Sequence, residues 1–187
     1  WEQLGADIDG EAAGDQSGFS VSLSSDGSRV AIGANFNDGT TGDDDDNRGH
    51  TRIYQYNSDT SSWEQLGADI DGEAAGDQSG NSVSLSANGS RVAIGAVTND
   101  GNGLNAGHAR IFEYDSNNGW TQLGADIDGE AAGDRLARHM LSLSSDGSRL
   151  AVGAPFNDGN GADAGHSRVF AINAVAENRQ RESSEET

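Results

Sequence analysis

The sequence predicts an all-β fold built from three tandem copies of one antiparallel unit, on three observations. The segment Trp1–Gly18 recurs without change at Trp63–Gly80, and a close copy starts at Trp120. Apolar residues within each copy, such as Val21 and Leu23, alternate with small or polar residues, which is the periodicity of a strand. An Asp-Gly or Asn-Gly pair separates the first two apolar stretches of each copy and favours a tight two-residue hairpin.

The copies span residues 1–62, 63–119 and 120–173, and a polar tail or linker follows at 174–187. Each copy holds a segment beginning with Trp, a serine-rich stretch, a small apolar stretch such as RVAIGA, and an aromatic stretch that starts with Gly-His. We expect each of these four segments to form an antiparallel strand. The copies differ in length mainly in the loop before Gly-His, where length variation is tolerated.

Four strands in a unit of roughly 40 to 60 residues fit a β-propeller blade better than a helical solenoid or a β-helix. The small residues of RVAIGA suit close packing of one sheet on another, and Trp1, Trp63 and Trp120 are expected to anchor neighbouring blades. Closed propellers typically have about four to eight blades. The three blades predicted here are therefore a partial propeller or half of a six-bladed ring.

The first segment, Trp1–Ile8, is expected to be an outer strand that completes a blade elsewhere. Its partner is either a second copy of the chain or a further blade of a longer array, because bare strand edges invite association. Self-association and continuation into further blades are both left open by the sequence.

These motifs resemble the FG-GAP-like repeats of integrin-α-type propellers and the W-x-Q-L-G…S-L-S-x-D-G-S-x-V-A-I-G-A…G-H-x-R-V-Y repeats of extracellular proteins. The resemblance covers residues 1 to about 173, and Val152–Pro155 reads VGAP, similar to the family's GAP element. It implies a β-propeller fold and an extracellular or cell-surface location. A short SSDGS turn replaces the family's calcium loop, and RLARHM at Arg135–Met140 replaces QSG, which predicts an end or a contact point there.

The chain carries 31 acidic and 11 basic residues, a net charge of −20, and has no cysteine. Phosphate groups repel such a polyanion, so the composition argues against nucleic acid and anionic membranes as partners. No apolar run is long enough to span a membrane. Disulfides and thiolate metal sites are excluded, and calcium is the favoured counter-ion.

The acidic link between copies and the Asn-Asp-Gly loop are predicted to share one face of the blades. Alternating carboxylates around a glycine offer oxygen ligands at spacings that a calcium loop uses. The candidate calcium ligands are Asp7, Asp9, Glu11, Asp15, Asp69, Asp71, Glu73, Asp77, Asp126, Asp128, Glu130 and Asp134. The alternative is that these are solvated turn residues, and the run Asp43–Asp46 is likewise expected to be exposed.

One histidine stands at the same position of each copy: His50, His108 and His166. A structural role, with the imidazole bonded to a neighbouring turn, is favoured over a three-histidine metal site. Asn88 begins an Asn-Gly-Ser sequon at a hairpin tip, where a glycan would be tolerated.

No catalytic constellation separates from the repeat pattern, because serines alternate along strands and acidic pairs recur in every copy. The sequence therefore predicts a non-enzymatic extracellular module for adhesion, structural assembly or binding of a protein partner, with calcium as a candidate stabiliser. A lectin-like propeller with a glycan partner is the alternative, and a propeller enzyme is a third hypothesis.

Overall fold

The computed structural model describes residues 1–39 and 46–173, and contains strands but no helix among them. Blade 1 consists of β1 (Ser20–Leu23), β2 (Arg29–Ala34), β3 (His50–Asn57), β4 (Ser62–Gln65) and β5 (Ile70–Asp71). Blade 2 consists of β6 (Ser79–Leu85), β7 (Arg91–Ala96), β8 (His108–Asp115), β9 (Gly119–Gln122) and β10 (Ile127–Asp128). Blade 3 consists of β11 (Leu141–Leu143), β12 (Arg149–Ala154) and β13 (His166–Ala171). The all-β, propeller-like prediction is confirmed, and the tail at 174–187 lies outside the described residues.

Each blade is offset by one strand from the copies seen in the sequence. The sheet of blade 1 runs β1–β2–β3–β4, with β5 also paired to β3. Its outer strand β4 contains Trp63, so the second copy completes the first blade, and β9 with Trp120 completes blade 2 in the same way. Trp1–Ile8, the predicted outer strand, pairs with none of the described strands.

The hairpins lie where the sequence predicts them, but they are wider than two residues. In blade 1 the last ladder pair is Leu23 with Val30, and the amide of Ser24 donates to Arg29 O at 2.9 Å. Asp26 stabilises this wider turn, because its Oδ1 accepts bonds from the Ser28 amide, the Ser28 hydroxyl and the Ser24 hydroxyl. These bonds, the Ser28 amide first, lower the pKa of Asp26 to about 2.

The core lies between blades rather than within one sheet. Ala31 and Ile53 of blade 1 pack against apolar residues of blade 2 that include Val83, Leu85 and Val92. The contact between blades 2 and 3 repeats this arrangement with Ala93, Ile111, Leu143, Leu150 and Val152. In each contact between two blades, a smaller apolar face of the earlier blade therefore packs against a larger apolar face of the later blade.

The RLARHM segment of the third copy is part of this core. Leu136 and Ala137 are fully buried between blades 2 and 3, and the Ser82 hydroxyl donates to Ala137 O at 2.7 Å. Ala137 has a φ of 61°, in the left-handed region that Gly80 occupies in the second copy at 82°. The segment is thus a contact point between two blades.

Arginines at the hairpin face tie each blade to the next. Arg29 donates through Nη1 to Gly89 O at 3.2 Å, and Arg91 donates in the same way to Gly147 O at 2.9 Å. The Trp63 and Trp120 rings each pack on a tyrosine of their own sheet, Tyr56 and Tyr114, while their indole N–H groups donate to the preceding link.

The leucines at equivalent positions of β1 and β6 give a matched test of the packing between blades. Leu85 is 7% exposed in the core between blades 1 and 2, whereas Leu23 is 59% exposed on blade 1. We expect Leu85→Ala to lower the free energy of unfolding by about 2–5 kcal/mol, because it leaves a cavity in a packed core. Leu23→Ala should cost less than about 1 kcal/mol when urea unfolding is measured at low protein concentration. Equal losses in the two variants would contradict the packing described here.

Candidate functional site

Two groups of titratable side chains meet where the central strand of a blade begins. The first junction cluster consists of Glu11, His50 and Asp69, and the second junction cluster consists of Glu73, His108 and Asp126. In each cluster the ligand atoms lie within 4.8 Å of one another. The glutamate comes from the link entering the blade, the histidine is the first residue of β3 or β8, and the aspartate comes from the link leaving the blade.

The second junction cluster is held by an arginine two residues beyond its histidine. The Glu73 carboxylate lies with Oε2 3.7 Å from His108 Nδ1 and with Oε1 3.7 Å from Arg110 Nη1. Arg110 Nη2 donates to Asp71 O at 2.6 Å, and the guanidinium lies over the Phe112 ring at 5.3 Å. The arginine thereby fixes the link against the strand and orients the glutamate.

The first junction cluster has the same geometry. His50 Nδ1 lies 3.7 Å from Glu11 Oε2, and Arg52 Nη1 lies 3.5 Å from Glu11 Oε1. Arg52 donates to Asp9 O at 2.8 Å. Because this arrangement recurs residue for residue, it is a property of the repeat rather than of one blade.

Burial is the largest influence on both cluster histidines, and it lowers the pKa of His50 and of His108 from the ordinary value of 6.5. Nearby carboxylates act in the opposite direction but do not overcome it. Both imidazoles are therefore neutral at pH 7, which is the form that can bind a metal ion.

The third copy has two members of the same group. His166 Nδ1 lies 3.7 Å from Glu130 Oε2, and Arg168 Nη1 lies 3.7 Å from Glu130 Oε1. His166 is more exposed than its counterparts. Among the described residues, no aspartate joins these two side chains as Asp69 and Asp126 join the junction clusters.

The aspartates of the acidic links, including those of the junction clusters, have hydrogen-bond partners within the fold. Asp7, Asp69 and Asp126 lie four residues after a glutamine whose amide donates to them. The carboxylates of Asp15, Asp77 and Asp134 are buried and accept bonds from Asn37, Asn99 and Asn157 at 2.9, 3.0 and 2.9 Å. Asp9, Asp71 and Asp128 offer backbone carbonyls to the arginines. Calcium binding by the predicted ligands stays a prediction. In the structure the aspartates among them bond to several different groups.

Two further candidates lie apart from the junction clusters. Asp46 is buried and pairs with Arg48 through two bonds of 2.7 and 3.0 Å, so the prediction that Asp43–Asp46 is exposed is wrong at that residue. The guanidinium of Arg48 neutralises the carboxylate and permits its burial. Asp43, Asp44 and Asp45 lie outside the described residues.

Asn88 is exposed at the hairpin tip, and its side-chain oxygen accepts bonds from Ser86 and Ser90.

The arginines of the Gly-His-x-Arg motif are the site residues that sequence reasoning did not identify, whereas the histidines were weighed only for a structural role or a three-histidine metal site. Their recurrence at one position of every copy was the available signal. It did not reveal that a glutamate and an aspartate from two different links converge on each histidine.

The lowered histidine pKa values predict how stability depends on pH. Below about pH 6.5 the unfolded chain binds more protons than the folded chain at these two positions, so the free energy of unfolding falls as the pH drops. We expect the His50→Gln/His108→Gln double variant to lose less stability than the wild type between pH 7.5 and 5.5. Urea unfolding at the two pH values checks this, and an unchanged difference in the double variant would show that these histidines are not the cause.

Comparison with known proteins agrees with the fold described here. A 6-phosphogluconolactonase candidate of Bacteroides fragilis matches with a TM-score of 0.51 at 16% identity, over 81% of this chain and 33% of its own. A second candidate, of Bacteroides uniformis, matches with a TM-score of 0.51 at 17% identity, over 83% of this chain and 37% of its own. Likeness at such identity shows the fold alone, and the chain spans 33% and 37% of the length of these two structures.

No curated protein matches the chain significantly. Among the described residues, no helix has the length and apolar character needed to cross a membrane. The sequence model of the FG-GAP repeat matches residues 68–112, which run from the link entering blade 2 to its central strand. Residues 68–112, in the second copy, are thus similar to the FG-GAP repeat, in agreement with the FG-GAP-like family that the motifs resemble.

Proposed function

We propose that this chain is a non-enzymatic β-propeller repeat module that works by assembly, through blade-on-blade contact with a second copy or with further repeats. One observation carries the proposal: the two end blades expose the two complementary halves of the contact that is buried inside the chain.

Blade 1 exposes the larger apolar half. Val21 and Leu23 are 64% and 59% exposed, whereas their counterparts in blade 2, Val83 and Leu85, are 9% and 7% exposed against blade 1. The same Val-Ser-Leu segment is therefore buried in the core in blade 2 and exposed on the surface of blade 1. Exposed apolar residues at adjacent positions of one strand face mark an interaction surface.

Blade 3 exposes the smaller apolar half. Val169 is 70% exposed, whereas its counterparts Ile53 and Ile111 are fully or nearly fully buried by the following blade. In the register of β12 and β13, Val169 lies opposite Ala151, as Ile111 lies opposite Ala93 in blade 2. This face therefore has the shape that receives a blade with the Val21 and Leu23 surface.

The polar groups of the two ends match in the same way. Arg29 and Arg91 bond the hairpin carbonyl of the next blade, and Arg149 stands at the equivalent position in the exposed end blade. A head-to-tail contact would give Arg149 the Gly27 carbonyl of a neighbour. Such heterologous contacts close into a ring or extend as an open array.

Repetition of the polar clusters supports a role other than catalysis. Glu, His and Arg hold the same geometry in all three copies, as expected of groups that serve the fold or a repeated binding event. Within this proposal the module acts outside the cell, as FG-GAP-like repeats do, in adhesion, in structural assembly or in binding a protein partner.

A complementation experiment tests the proposal. Val21→Glu and Val169→Glu each place a charge on one end face without touching the internal contacts. We expect the wild type to associate with rising concentration in sedimentation velocity, as a discrete dimer if a six-bladed ring closes and as a ladder if it does not. Each variant alone should stay monomeric.

An equimolar mixture of the two variants should form a dimer, because one intact pair of end faces remains between them. Circular dichroism serves as the control for folding of each variant. A wild type that stays monomeric at about 1 mM, where even a contact of about −4 kcal/mol is well populated, would overturn the proposal. Association that survives in either single variant would do the same.

A further inference from the structure

His108 is a buried imidazole for which the described part of the chain supplies no hydrogen-bond partner. Its side chain is 1% exposed, and neither Nδ1 nor Nε2 has a partner among the described residues. A buried polar group without a partner costs roughly 1–3 kcal/mol and is uncommon in folded proteins. The predicted structural role, a bond from the imidazole to a neighbouring turn, is therefore not what this side chain does.

The surroundings of His108 supply other ligand atoms at suitable distances. Glu73 Oε2 lies 3.7 Å from His108 Nδ1, too far for a hydrogen bond. Two ligands of a tetrahedral metal ion, each about 2.1 Å from it, lie about 3.4 Å apart. A carboxylate oxygen of Asp126 falls within 4.8 Å of the other two ligand atoms. A small displacement of these side chains would bring all three to one ion.

Both carboxylates are already oriented by neighbours, as metal ligands generally are. Gln122 Nε2 donates to Asp126 Oδ1 at 2.7 Å, and Arg110 Nη1 lies 3.7 Å from Glu73 Oε1. Each carboxylate therefore keeps a second oxygen for the cluster. Glu73 is 43% exposed, so water can enter and complete the coordination of an ion.

The donor set selects the class of metal. Calcium and magnesium take oxygen ligands almost exclusively, whereas one imidazole nitrogen with two carboxylate oxygens suits zinc and similar divalent ions. We propose that each junction cluster binds a divalent transition-metal ion of the zinc class, through Glu73, His108 and Asp126 in blade 2 and through Glu11, His50 and Asp69 in blade 1. This inference does not depend on assembly of the module.

The nearby arginines set a limit on affinity. Arg110 and Arg52 each lie within 3.7 Å of one oxygen of the cluster glutamate and offset part of its negative charge. Around them the chain carries a net charge of −20, which raises the local concentration of cations. The acidic links thus attract the ion, and the histidine selects it.

The metal would fasten the two links of one blade to its central strand. In blade 2, Glu73 lies in the incoming link, His108 begins β8 and Asp126 lies just before β10. In the part of the chain that the structure describes, Glu130 and His166 of the third copy have no aspartate beside them, so this group offers two ligands. The chain is therefore expected to bind two such ions.

Zinc stoichiometry of the full chain tests the proposal. The tag-free chain is freed of metal with a chelator and equilibrated with a small excess of ZnCl₂ in about 10 mM CaCl₂, which exceeds the dissociation constants of weak calcium sites, roughly 0.1–1 mM. Zinc is then measured after desalting. We expect two zinc ions per chain, one in Glu73→Gln, and none in Glu11→Gln/Glu73→Gln. The matched control, Glu130→Gln in the incomplete third group, should keep both ions.

Histidine side-chain NMR separates these sites from non-specific binding to the acidic surface. Addition of zinc should shift the signals of His50 and His108, and leave those of His139 and His166 in place. No retained zinc, two ions retained in the double glutamine variant, or displacement of zinc by calcium would each overturn the proposal. Each glutamine variant keeps the shape of an exposed glutamate, and thermal unfolding confirms that it is folded.

Discussion

Close backbone contact between neighbouring blades is the constraint on which the rest of the structure depends. A Cβ atom at Gly33 would lie 2.1 Å from Gly80 O, and a Cβ atom at Gly80 would lie 2.4 Å from His50 O. The Ser20 hydroxyl bonds the same Gly80 carbonyl at 2.8 Å. Because no side chain separates the sheets here, the link of the second copy lies close against β3 and brings Asp69 to His50, whereas Glu11 comes from the link of the first copy.

The third copy shows how the same contact accepts a different composition. Ala137 takes the left-handed position of Gly80, and Leu136 takes the position of Ser79. The leucine joins the apolar core between blades 2 and 3, whereas the buried hydroxyl of Ser79 has no hydrogen-bond partner among the described residues. Extra apolar burial thus offsets the strain of a non-glycine residue at positive φ.

Local patterns predicted the strands, whereas contacts between copies determined the site. The alternation of Val21 and Leu23, and the Asp26-Gly27 pair, depend on neighbouring residues, so the sequence showed them. The greater width of that hairpin is stabilised by side-chain bonds, from the Arg29 amide to Ser24 Oγ and from the Ser28 amide to Asp26 Oδ1, which the Asp-Gly pair alone does not predict. Aspartates that look alike in one link differ in burial because Asn37 bonds to Asp15. Glu73 meets His108 because the link entering blade 2 folds against the start of β8, which lies far along the chain.

The second copy supplies outer strands to blade 1, and the third copy supplies them to blade 2. This arrangement also affects how the chain can fold during synthesis. Blade 1 has its inner three strands by Asn57, but β4 and β5 extend to Asp71, well inside the second copy. The first blade therefore cannot finish folding on the ribosome until the next copy has begun to emerge. Translation of each new copy would close the previous blade, so the module forms in order from its N-terminal end.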